Sequence, residues 1–170
     1  MAARARSSSG RTDRHFLTDA TRLPLLIHRG AVGAEAAEAY ERLFARHGWS
    51  NPWRDGIFGY HHFHATTHEV LGIARGRVEV RFGGRDGPVI TLKTGDVAVI
   101  PAGISHRNEH ATNDLLVVGA YPGGRDYDVV RGTPEGKRGM ARKLERVPIP
   151  NADPVFGPSG PVTKEWRAAS

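Results

Sequence analysis

A chain of 170 residues with 39% hydrophobic content, 21 glycines and 11 prolines suits one turn-rich domain with its own core and is too short for two ordinary ones. It contains no cysteine, which excludes disulfides, thiolate ligands and cysteine nucleophiles, so any metal has to be held by histidine and carboxylate. The net charge of +6 comes from arginines at the start and around Arg138–Arg146 with no interleaved aromatics, and no run resembles a membrane helix or secretory signal, so we expect a cytoplasmic protein with no nucleic-acid or membrane partner.

Residues 1–19 are rich in Arg, Ser and Gly and nearly devoid of apolar side chains, which predicts a disordered basic tail; an organellar leader would need an amphipathic stripe that is missing. A single domain is expected over 20–150, with a barrel core at 56–122 and a Pro/Gly-rich extension at 151–170. Arg22–His28 is a short apolar run that Pro24 confines to a sheet edge or the beginning of a strand. From Ala34 to Arg46 the spacing of Tyr40, Leu43 and Phe44 predicts a helix, stopped by Gly48. Trp49–Arg54 reads as a loop whose two tryptophans serve packing rather than a ligand lid.

Short strands then follow at Ile57–His64, Glu69–Ala74, Arg77–Phe82, Val89–Leu92, Asp96–Ile100 and Leu115–Tyr121, with the hairpin tip Gly83–Pro88 among them. Closely spaced strands with no helix between them predict an antiparallel barrel or sandwich. After Gly123 a helix beginning at Thr133-Pro134-Glu135 is weakened by Gly136 and Gly139, and Val147–Val162 reads as an extended wrap over the exterior, pinned by Trp166.

Four of the nine histidines, His61, His62, His64 and His68, lie between Gly56 and Gly76, with Glu69 beside them. On a strand His62 and His64 share a face, with Phe63 on the other, so two imidazoles are presented together and Glu69 returns toward them after a turn. Phe58 and Tyr60 share the His62 face and either shape a pocket or fill the core. His61 and His68 point away and are read as surface or supporting groups, with His64 plus His68 as an alternative ligand pair. His28, Arg107 and His110 are read as structural or rim residues.

Gly56, five residues, His62, one residue, His64, four residues, Glu69, six residues, Gly76; then Gly95, five residues, Pro101, one residue, Gly103, two residues, His106: this pattern resembles the two signature motifs of the cupin superfamily. Nine of the ten motif positions agree; the tenth is His110 where the family usually has Asn, a position not usually a ligand. HHFHATTHEVLGIARG, GDVAVIPAGISH, VVGAYPGG and ADPVFG are similar, more narrowly, to the YjlB-like small bacterial cupins.

The resemblance implies an all-β fold, a small antiparallel β-barrel or jelly-roll double-stranded β-helix, with one N-terminal helix and an extended C-terminal wrap. It implies His62, His64, Glu69 and His106 as ligands of a divalent transition metal, Fe, Mn, Ni or Zn. It implies a metal-dependent enzyme, dioxygenase-like or isomerase/lyase-like, for a small polar or enolisable metabolite, and a homodimer. The alternative is a barrel that binds a sugar or metabolite without turning it over, since no separate catalytic acid or base stands out.

Overall fold

The computed structural model of the chain describes residues 10–17, 21–33 and 36–170. In chain order the first elements are β1 (Thr12–His15), β2 (Leu25–His28), α1 (Ala37–Arg46), β3 (Trp49–Asp55), β4 (His62–Phe63) and β5 (Glu69–Arg75). They are followed by β6 (Arg77–Phe82), β7 (Val89–Lys93), β8 (Val97–Ile100), β9 (His106–Ala111), β10 (Leu116–Pro122) and β11 (Val130–Arg131). Three helices end the chain, α2 (Pro134–Lys137), α3 (Ala141–Glu145) and α4 (Pro161–Ala169).

The strands form two antiparallel sheets, β1-β2-β8-β5-β10-β3 and β11-β4-β9-β6-β7, the jelly-roll arrangement expected for the repeated short strands. Alternation along β5 shows how they are stacked. Leu71 and Ile73 join Val78, Val80 and Phe82 of β6 and Ile90 and Leu92 of β7 in the core between the sheets. Val70 and Ala74, on the opposite face, join a second core roofed by Tyr40, Leu43 and Phe44 of α1 and Trp166 of α4. A sheet covered on both faces is why β5 and β8 read as unbroken apolar runs while β6 alternates. Helix α1 lies directly on β5: a Cβ at Gly72 would come 2.5 Å from the Tyr40 ring.

Four sequence expectations need correction. Within the basic tail, Thr12–His15 is a strand, because pairing with β2 is reinforced by Thr12 Oγ1 against His28 Nδ1 (2.9 Å) and by Arg29 donating to Asp13 (2.9 Å); residues 1–9, 18 and 19 of that tail, and Ala34 and Glu35 of the expected helix, lie outside the described residues. Trp49–Arg54 is not a loop but most of edge strand β3, where Pro52 is tolerated because one side of the strand has no neighbour. The strand expected over Ile57–His64 shrinks to His62–Phe63. The stretch expected as an extended wrap, Val147–Val162, carries no named strand or helix until Pro161, where α4, unexpected from the sequence, begins with proline in its first turn.

Helix α4 is held by two buried anchors. Trp166 Nε1 donates to the Pro24 carbonyl (2.9 Å), and Asp153 accepts the Val162 amide (3.1 Å). Among the described residues no helix is long and apolar enough to cross a membrane.

Candidate metal centre

Two strands and the turn that follows the first of them bring the predicted histidines together. His62 of β4 stands opposite His106 of β9 in register, with ring centroids 4.2 Å apart. His64 follows two residues after His62 on the same face, and the Gly103 amide donates to its carbonyl (2.9 Å), tying the turn that delivers His106 to the end of β4. One ligand atom from each of His62, His64 and His106 lies within 4.8 Å of the other two, and all three side chains are buried. Glu69, at the start of β5, faces the same interior: Oε2 is 3.2 Å from His64 Nε2 and Oε1 is 3.4 Å from His106 Nε2. It abuts two of the histidines rather than joining the close three-histidine group.

Each imidazole is oriented from behind. His62 Nδ1 donates to the Tyr60 carbonyl (3.1 Å), His106 Nδ1 to the Ile104 carbonyl (3.2 Å) and His64 Nδ1 to the Asp128 carbonyl. With Nδ1 carrying the proton, each neutral ring turns an Nε2 lone pair toward the centre. His64 Nε2 is buried with no hydrogen-bond partner. Three nitrogen lone pairs and a carboxylate therefore converge with no donor among them, an arrangement that calls for positive charge at its centre. These three buried histidines can hold a metal ion.

The electrostatics agree. Burial pushes the His62 pKa down to about 3, helped by His106, so this ring is neutral at ordinary pH and open to a metal. Burial alone would raise the Glu69 carboxyl, but His64 and His106 outweigh it and hold the group well below the usual carboxylate range. For His64 the order reverses: burial opposes the charge, yet the Glu69 carboxylate wins and raises its pKa.

The histidines and Glu69 form the floor of an open cavity of about 330 Å³ whose walls include Trp53, Phe58, Leu71, Tyr121, Tyr127 and Val129. Trp49 is the packing residue expected, buried under α1 with Nε1 donating to the Ala152 carbonyl (2.9 Å). Trp53 is not only packing, for it lines the cavity and donates to the Tyr121 hydroxyl (2.7 Å). The two indoles would share a face of a regular strand. A register shift against β10, with Asn51 at φ 57°, sends them to opposite faces. Tyr121 in turn donates to Glu69 Oε2 (2.9 Å), and burial together with the carboxylate pushes its phenol far up. Sequence reasoning missed Tyr121, Tyr127 and Asp128. Tyr121 was legible in principle, since it shares the inward parity of Val117 in β10, whereas Asp128 acts through a main-chain carbonyl that no side-chain motif marks.

His68 faces away from the cavity, as expected, but it is buried rather than on the surface. Its ring packs against Trp166 (4.6 Å), Nδ1 accepts the Ala102 amide (2.9 Å) and Nε2 donates to the Pro148 carbonyl (3.2 Å). It is not part of the histidine group, so the His64 plus His68 pair is not assembled. Likewise His28 is a buried structural residue bound to Asp153, while Arg107 pairs with Glu109 and His110 is exposed.

One pH effect follows from His68. A second proton would point Nδ1–H at the Ala102 N–H, and burial pushes the pKa from 6.5 down to about 4. The unfolded chain takes up this proton below about pH 6.5 and the folded chain refuses it until about 4, so stability is full above 6.5 and falls as the pH drops through that window, by about 3 kcal/mol. Urea unfolding with chelator present should show that slope, and His68→Asn should flatten it relative to the parent; an unchanged slope would exclude His68 as its source.

Residues 54–118 match the family model described as a Cupin domain. The chain is 37% identical over 161 residues to "Uncharacterized protein YjlB" of Bacillus subtilis (strain 168), covering 91% of this chain and 96% of that protein. Among solved structures it is similar to acireductone dioxygenase from Bacillus anthracis with cadmium in its active centre, at 19% identity and a TM-score of 0.38, over 54% of this chain and 61% of that one. It is also similar to a mutant of Bacillus subtilis oxalate decarboxylase OxdC, at 18% identity and a TM-score of 0.37, over 75% of this chain and 29% of that one. The chain thus spans less than two thirds of either of these two proteins.

Proposed function

Given that the chain belongs to the cupin family, within its YjlB-like group, we propose that it is a metal-dependent enzyme acting on a small polar or enolisable metabolite. His62, His64, Glu69 and His106 would hold a divalent transition metal, Fe, Mn, Ni or Zn. The observation that carries this reading is the convergence of three Nε2 lone pairs, each fixed from behind by a carbonyl and one of them buried without a partner, on the floor of an open cavity. When bound, the ion supplies Lewis-acid polarisation of a substrate oxygen and, if redox-active, one-electron chemistry suited to a dioxygenase; a redox-silent ion suits isomerase or lyase chemistry.

The chain's own residues set the conditions for that chemistry. Tyr121 keeps its proton at any working pH and acts as a fixed donor to Glu69 rather than as a base. That hydrogen bond restrains the carboxylate, and the indole N–H of Trp53 restrains Tyr121 in turn. Leu71 and the aromatic walls exclude water from one side of the floor.

The test is metal content of protein purified without a His-tag, followed by oxygen uptake with Fe(II) and a panel of diketones, catechols and cysteine analogues. Stoichiometric metal and turnover of one class are expected. Stoichiometric metal with no turnover on the panel, and none in isomerase or lyase assays, would leave a binding module instead.

A further inference from the structure

The mouth of the cavity restricts what can reach the metal site. Five large hydrophobic side chains are markedly exposed among the described residues, and three of them, Phe58 (49%), Tyr127 (46%) and Val129 (45%), line this one cavity. Such clustering of exposed apolar surface marks a binding surface rather than chance. Two of the three touch the predicted ligands: Phe58 meets the His62 ring edge-on at 5.1 Å and Tyr127 meets His64 at 5.7 Å. Tyr127 also stacks on Tyr121 at 4.6 Å, and Trp53 lies across Gly119 so closely that a Cβ there would come 2.1 Å from the indole.

Charge and polarity are scarce around this collar. Arg54, the one cation among the described lining residues, is turned to α1, where it pairs with Glu38 (3.0 Å) and Glu41. Asp55 accepts the amide of the next residue, Gly56 (2.7 Å). No Ser, Thr, Asn, Gln or Lys is among the described lining residues, so a sugar's hydroxyls would be desolvated without partners and a second carboxylate would meet no cation.

We infer that the substrate is a planar molecule with one oxygen-chelating end, an enolic or phenolic dioxygen group, and an apolar or aromatic body seated against Trp53, Phe58 and Tyr127. This rests on the proposed metal site for the chelating end and on the collar for the body. The cavity, at the small end of ligand-binding sites, suits a body of about one ring.

The experiment compares two diketone probes that chelate alike, 1-phenylbutane-1,3-dione and pentane-2,4-dione, with oxalate and glucose, by calorimetry on the protein with and without Co(II). The phenyl compound should bind the Co(II)-loaded protein roughly tenfold or more tighter than pentane-2,4-dione, with oxalate and glucose weaker than either. Tyr127→Ala and Phe58→Ala should each reduce that ratio severalfold, and Gly119→Ala, which drives the Trp53 ring from its seat, should do the same. A ratio near one, a ratio that survives all three substitutions, or tighter binding of oxalate or glucose would overturn the inference. The two readings fail differently: without a metal site Co(II) would not affect either diketone but the phenyl preference would remain, whereas without an aromatic seat the Co(II) effect would remain and the preference would vanish.

Discussion

Replacing His106 with Ala should weaken metal binding at neutral pH by roughly a hundredfold or more, since loss even of groups that merely orient ligands typically weakens binding about 10–100-fold. His106 is the link between the two halves of the site: its ring is 4.2 Å from that of His62, and its Nε2 is 3.4 Å from Glu69 Oε1. Without it, His62 has no close neighbour in the group except His64, whose ring is 5.8 Å away. The substitution also removes a partner from a buried carboxylate, so metal-free stability has to be read beside affinity. Zinc titration of the parent, His106→Ala and His68→Ala, with unfolding of each in chelator, separates the two effects. The expected pattern is loss of zinc in His106→Ala and retention in His68→Ala, with both folded at the titration temperature. Retention in the first and loss in the second would refute the ligand set.

The centre of this site was legible because strand geometry is local. One residue separates His62 and His64, so parity alone puts them on one face, and the same rule turns Glu69 inward and His68 outward. What lies beyond the outward face is not local. His68 is buried by Trp166, which approaches from α4 at the far end of the chain, and nothing near His68 announces it. The Pro- and Gly-rich composition before α4 hid the helix, since it is the fixed turn at Asp153–Gly157 that carries the chain to its start.

Parity also failed where the backbone departs from it. Trp49 and Trp53 are four residues apart, yet the extra residue in β3 puts one under α1 and the other in the cavity, so treating them alike as packing missed a wall of the pocket. The strand at Thr12–His15 was hidden for another reason. Its burial is partial and its pairing draws on Asp13 and Thr12, polar residues that in a sequence look like tail.

The second large effect is on stability, at Asp153. Its carboxylate is buried and accepts four hydrogen bonds from three segments: Oδ1 takes the Val155 (2.8 Å) and Phe156 (3.0 Å) amides, and Oδ2 takes Val162 N–H (3.1 Å) and His28 Nε2 (2.9 Å), while its main chain pairs with Gly157. It thus ties the turn before α4 and the first turn of α4 to β2. Asp153→Ala would strand three backbone donors and a buried imidazole, which costs about 3–5 kcal/mol and lowers the melting temperature by on the order of 10 °C. Burial by itself would raise the Asp153 pKa, but the hydrogen bonds from His28 and the amides outweigh it and hold the carboxyl below its ordinary value. The stabilisation is therefore complete above about pH 4, the unfolded value, and is lost as the pH falls through the lower folded value. Urea unfolding of the parent and of Asp153→Ala should differ by a constant amount from pH 5 to 8 and converge only in acid, with Asp153→Asn losing less because it keeps an acceptor for the turn. A difference under about 1 kcal/mol at pH 7, or one that closes between pH 5 and 8, would mean that the segment is held by Trp166 and its neighbours and not by this carboxylate.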